Sequence, residues 1–225
     1  MIYIESNIKM LGVTCLFFTT LLFLDKCLFP FCSSFRYPNE VSNRWTCTLY
    51  QSWFLYFCTS RMIMSGTEMT NMVPYSNLNI LTQSMAGYFL YDLYFLMRLP
   101  RDRAQPVFIV HHLVSLTIFL INYVQQIVPD RESYMLLLLL ESASPLLNVW
   151  NIWREIYPQS FLTRALLSVI KVVYGLSRII GMSFWFLWYK LYYAQWKWNH
   201  IMNTSSLMII YLASLFWFHK LVKKN

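Results

Sequence analysis

The chain has 225 residues, of which 57% are hydrophobic, 19% aromatic and only 12% charged, with a formal charge of +8. A soluble domain is nearer 25% charged, so a water-soluble globule is excluded. With five glycines the fibrous and low-complexity classes fail too. A basic, aromatic, apolar chain fits a membrane protein whose cations occupy short loops, and no nucleic-acid partner is expected.

Crossing a bilayer takes about 20 mostly apolar residues. Seven stretches meet that length, at 8–29, 45–64, 78–97, 106–125, 134–153, 165–189 and 201–218. Helices are the form expected, because lipid offers the backbone no hydrogen-bond partners. Prolines 38, 74, 100, 129 and 158 punctuate the connections. The expected fold is an all-α, polytopic membrane bundle with no soluble domain.

The first stretch is interrupted by Asp25 and Lys26, and it has no small-residue cleavage site of the signal-peptide kind. The five cysteines, an odd number with no CxxC pair, read as buried free thiols rather than a disulfide framework or metal site. Lysines and arginines on alternate sides number eleven against five. The excess places the carboxyl terminus in the cytosol. The aromatic run at 183–198 reads as an interfacial belt. The Asn-Thr-Ser at 203–205 has the form of a glycosylation acceptor but falls in a predicted span, where interhelical hydrogen bonding suits it better.

Ionisable groups inside spans are costly, and they mark cavities or ion pairs. Counting along each helix at 1.5 Å per residue places Asp92, His111, His112, Asn148, Tyr50 and Lys171 about 8–10 Å from the cytosolic face. Such a shared level would line a chamber open to the cytosol, with Ser115 one turn beyond His111. Glu141 and Arg178 fall deeper, at about 18–21 Å, where they would neutralise each other. Lys171 and Arg178, seven apart, should share a face. The adjacent His111 and His112 diverge by about 100°. One can therefore face the chamber while the other reaches Asp92 or Asn148. A histidine oriented by a carboxylate suits a base or nucleophile. Metal binding is not expected, since adjacent histidines lack the i, i+4 spacing of helical ligands.

Several segments in order carry a resemblance: NRWTCTLYQS (43–52), GYFLYDLYFL (87–96), HHLVSL (111–116), LLESASPLLNVWNIW (139–153), SRIIG (177–181) and LASLFWFHKLVKK (212–224). Together they resemble the TLC family (TRAM, LAG, CLN), which includes the ceramide synthases, over residues 40 to 225. The match is to the smaller members. The paired aspartates after the histidines of ceramide synthases are replaced by Glu141-Ser-Ala-Ser-Pro145 with Asn148, and Tyr50 stands where a histidine is usual.

The resemblance implies six spans forming a barrel around a lipid-accepting cavity, an extra amino-terminal span within residues 1–39, and endomembrane residence, commonly the endoplasmic reticulum. It implies His111 and His112 as the reaction centre, aided by Asp92 or Glu141. Tyr50, Ser115, Asn148, Lys171 and Arg178 would line the cavity. No bound cofactor is expected; acyl-CoA would be a co-substrate, its head group meeting Arg98, Arg101 and Arg103. Three functions follow: a membrane-bound acyltransferase of ceramide-synthase-like type, a non-enzymatic lipid sensor or regulator, or a structural subunit of a membrane assembly. The partners expected are membrane lipids, with a protein partner or second copy as alternatives.

Overall fold

A computed structural model describes residues 2–64, 75–98, 106–124, 136, 138–192 and 198–223. Among these residues every regular element is helical. Helix α1 spans Ile2–Cys32, α2 Pro38–Met64, α3 Tyr75–Arg98 and α4 Pro106–Val124. Two of these begin on proline, whose missing N–H costs nothing in the first turn. Arg98 closes α3, where a cation complements the helix dipole.

The fifth predicted span is one stretch in the sequence but two pieces in the fold. Residues 138–141 are helical, Ser142 and Ala143 form a turn, and α5 runs Ser144–Ile156. Pro145 accounts for the break: it has no N–H to donate, and its ring would clash with the carbonyl of Glu141. Helix α6, Phe161–Tyr174, starts at Ser160, whose hydroxyl accepts the Thr163 N–H at 3.0 Å. It continues without interruption into a π-helical segment, Gly175–Gly181, and then α7, Met182–Tyr192. The last helix, α8, spans Trp198–Val222.

Among the described residues three stretches are long and apolar enough to cross a membrane: Leu11–Cys32, Phe161–Leu187 and Thr204–Val222. Their 22, 27 and 19 residues extend about 33, 40 and 28 Å against a hydrocarbon core of about 30 Å. Helix α2 is less apolar for a physical reason. It turns Ser42, Asn43, Thr46, Thr48 and Gln51 inward and leaves Trp45, Leu49, Trp53 and Tyr56 exposed. Polar side chains inside and aromatic ones outside is the arrangement lipid favours. The chain is an integral membrane protein built from helices.

The helices fall into two compact units, Met1–Cys47 with Arg61–Pro129, and Thr48–Ser60 with Asp130–Asn225. In the first, α3 packs against α1 and α4. The α1–α3 crossing is close. A Cβ on Gly87 would lie 2.8 Å from the Thr14 carbonyl oxygen and from Phe17 Cβ. Phe18 and Tyr94 meet edge to face nearby, with ring centroids 6.1 Å apart. Asp25, the charge that interrupts the first span, has a partner. The Ser42 hydroxyl on α2 lies 2.5 Å from Asp25 Oδ1 and 2.7 Å from its backbone carbonyl.

The second unit has an apolar core of Ala143, Trp150, Leu167, Ile170, Tyr174 and Leu221. Tyr174 and Phe218 stack in parallel, their ring centroids 6.0 Å apart. Glycines bracket the π segment where neighbours come near: a Cβ on Gly175 would stand 3.2 Å from Phe218, and one on Gly181 2.9 Å from Leu139. The Ser183 hydroxyl and the Tyr211 hydroxyl, 2.6 Å apart, tie α7 to α8.

Candidate functional site

The paired histidines lie in the second turn of α4, and both are buried. Their rings diverge, with centroids 5.3 Å apart and planes 78° to each other. Phe89 on α3 meets both edge to face, at 5.2 Å from His112 and 6.2 Å from His111. Phe119, two turns further along α4, packs on the same Phe89 ring at 5.8 Å. Aromatic edges thus fix both imidazoles.

His112 is the histidine that reaches a carboxylate. Its Nδ1 stands 2.8 Å from the Phe108 carbonyl oxygen one turn back. A carbonyl can only accept, so Nδ1 carries a proton there. Its Nε2 is 2.7 Å from Asp92 Oδ2 on α3. Both ring nitrogens therefore lie beside oxygen atoms, the carboxylate of Asp92 on one side and a backbone carbonyl on the other. The other carboxyl oxygen, Oδ1, accepts from the Cys47 thiol of α2 at 3.6 Å, and the thiol is also 3.9 Å from Asn43 Oδ1. Three helices thus converge on Asp92, whose side chain is only 16% exposed. Ser115, one turn after His111, is buried on α4.

A second polar cluster is built within the second unit. Glu141 Oε2 accepts from Gln51 Nε2 at 3.3 Å, and Gln51 Oε1 accepts from Asn148 Nδ2 at 3.1 Å. Arg178 Nη2 lies 3.8 Å from Glu141 Oε1 and donates to the Ser144 hydroxyl at 2.9 Å. Glu141, Gln51 and Arg178 are all buried. The pairing of Glu141 with Arg178 is the one their depths called for. The break at Pro145 matters here, since it sets Glu141 and Ser144 on either side of a turn from which both address Arg178.

The remaining expected residues are placed as follows. Tyr50 is buried in an aromatic ladder, with Phe54 stacked at 6.3 Å and Trp53 tilted at 5.9 Å. Lys171 does not share the buried face of Arg178. It is half-buried, and its Nζ reaches the Val222 carbonyl at 3.4 Å, near the end of α8. The wider π turn between them advances less per residue than an α turn and rotates the two side chains apart. Arg98 is exposed and donates to the Tyr94 hydroxyl at 2.6 Å while covering its ring. Arg101 and Arg103 lie outside the described residues.

Sequence reasoning passed over Cys47 and Gln51. All five cysteines are free, as expected, but Cys15 and Cys27 are exposed, and Cys47 is more than filler because it donates to Asp92. Gln51 could have been found from its own motif, NRWTCTLYQS, as a polar side chain in the middle of a span. Among the described residues no three His, Cys, Asp or Glu side chains are grouped as a metal ion would need.

Comparison with known proteins bears on this arrangement. The sequence model of one family, described as the TLC domain of the TRAM, LAG and CLN proteins, matches residues 39–223. No curated protein matches the chain, and no solved structure does.

Proposed function

The chain belongs to the TLC domain family, and on that premise we propose that it acts on acylated lipid in an endomembrane, with His111, His112 and Asp92 as the centre of an acyl transfer. The observation carrying this reading is the 2.7 Å approach of His112 Nε2 to Asp92 Oδ2, with His111 alongside. An imidazole fixed on both nitrogens is an orienting and charge-holding group. That leaves His111 as the base or transient acyl carrier, and His112–Asp92 as the pair that stabilises charge developing on it.

In the simplest cycle a hydroxyl or amine acceptor gives its proton to His111 as it attacks the carbonyl of an acyl-CoA thioester. The C–S bond breaks, and the leaving thiolate takes the proton from the imidazolium. One acyl ester or amide and one free thiol result, and no other reactant is needed. Arg98 at the end of α3, with Arg101 and Arg103 after it in the sequence, makes a basic segment suited to the phosphates of the donor. The proposed residence is the endoplasmic reticulum, with the carboxyl terminus cytosolic, because the loop cations favour that side.

The test is transfer of labelled oleoyl groups from oleoyl-CoA to a mixed lipid acceptor by the purified chain in nanodiscs. His111→Ala should lower the rate by roughly 10²-fold or more, the usual worth of a general base. Equal rates for wild type and His111→Ala would remove the catalytic assignment. A second reading, lipid handling without turnover, is favoured by the depth of burial, with His111 6% and His112 4% exposed. Lipid that co-purifies and is released chemically unchanged would support that reading over the first.

A further inference from the structure

Two buried side chains of the second unit hold hydrogen-bond donors that no described residue receives. Arg178 Nη2 has the Ser144 hydroxyl at 2.9 Å, and Glu141 Oε1 at 3.8 Å lies beyond hydrogen-bond reach. Arg178 Nε, fully covered, has no acceptor among the described residues. One turn earlier the hydroxyl of Tyr174 is also covered and also without a partner. These are core positions, since Arg178 is 4% and Tyr174 3% exposed. The two side chains are neighbours: the guanidinium lies 5.2 Å from the centre of the Tyr174 ring, and that ring is stacked on Phe218. Buried donors are nearly always satisfied in folded proteins, so a pair left open side by side calls for an acceptor from outside the chain.

Charge identifies the kind of acceptor. Glu141 already balances Arg178 within the cluster. An incoming carboxylate or phosphate would leave a net negative charge in a buried place, which is costly. An uncharged oxygen that only accepts meets both conditions. Hydrocarbon and aromatic groups pack close by, with Leu139 against Gly181 and Phe218 against Gly175. The donors also lie in and beside the π segment, and such interruptions of α-helices are frequent at binding sites.

We propose that Arg178 Nε and the Tyr174 hydroxyl bind the carbonyl oxygen of a neutral acyl lipid, an ester or an amide. The site stands on residues of the second unit alone. It needs no turnover at His111, so it survives or fails separately from the acyl-transfer reading.

The experiment measures binding of tritiated dioleoylglycerol to the full chain in nanodiscs, in competition with the di-O-oleyl ether analogue, with N-oleoylethanolamine and with oleate. The ether analogue keeps both chains but has no carbonyl. Wild type should bind the diester roughly tenfold tighter than the diether, the worth of one to two hydrogen bonds. Tyr174→Phe retains the ring stacked on Phe218 and should cut the diester preference severalfold, the share of one of the two donors, leaving the diether unchanged. Competition by N-oleoylethanolamine extends the site to amide carbonyls; its failure restricts the site to esters, and both results fit the proposal. Equal affinity of wild type for diester and diether would overturn it, meaning that water alone satisfies the two donors. Preference for oleate would overturn it in favour of an anion site. A diester preference that disappears in His111→Ala/His112→Ala would also overturn it, because the carbonyl would then be held at the histidines.

Discussion

Replacing Asp92 and His112 together should cost less than the sum of replacing each alone. The carboxyl oxygen and Nε2 are 2.7 Å apart, and both side chains are largely buried. A hydrogen bond to a charged group contributes about 1.5–3 kcal/mol, and truncating one partner also strands the other. Asp92→Leu takes the carboxylate from the buried His112 Nε2 and from the Cys47 thiol, leaving the thiol only the more distant Asn43 Oδ1 among these contacts. His112→Phe leaves a buried carboxyl group with the thiol as its remaining donor among these contacts. Removing one side of a buried pair costs about 3–5 kcal/mol. The double variant strands neither, so the coupling energy should be about 2–3 kcal/mol. Cys47→Ala alone, which deletes a weak donor 3.6 Å away, should cost under about 1 kcal/mol from that bond. The assay is reversible unfolding in mixed micelles at increasing sodium dodecyl sulfate, followed by tryptophan fluorescence. Additivity within about 0.5 kcal/mol would refute a direct interaction between the two groups.

Other positions give sharp expectations by the same unfolding assay. Gly87→Ala forces a methyl group to within 2.8 Å of the Thr14 carbonyl oxygen; it should destabilise the chain by about 1–3 kcal/mol, whereas Gly12→Ala, with open space around it, should not. Gln51→Leu removes a donor to Glu141 and an acceptor for Asn148; a loss of about 2–3 kcal/mol is expected. Ser160→Ala deletes the hydroxyl that caps α6 and should cost about 1 kcal/mol.

Much of the helical plan is written in apolar run length. Within the described residues the stretches expected to span the membrane are helical except for the turn at Ser142–Ala143, and the costly charges point to their own partners: Glu141 to Arg178, and a histidine to Asp92. Which of two adjacent histidines turns toward the carboxylate is not legible, because it depends on how α4 is rotated against α3. The π segment is also invisible in composition; Gly175 and Gly181 were the available hint, and it shifted Lys171 away from Arg178. The break at Pro145 was legible in principle, but a long apolar run with one proline reads first as a continuous span. A thiol in an apolar stretch usually reads as packing, and only the distance from Cys47 to Asp92 says otherwise.

The family match opens at residue 39, yet the backbone of α3 has a notch at Gly87 that is filled by the turn of α1 around Thr14 and Phe17. A domain trimmed to its recognisable border would carry that notch unfilled, with Ser42 parted from Asp25. The leading helix is therefore better regarded as one wall of the unit that houses the imidazoles than as a detachable anchor.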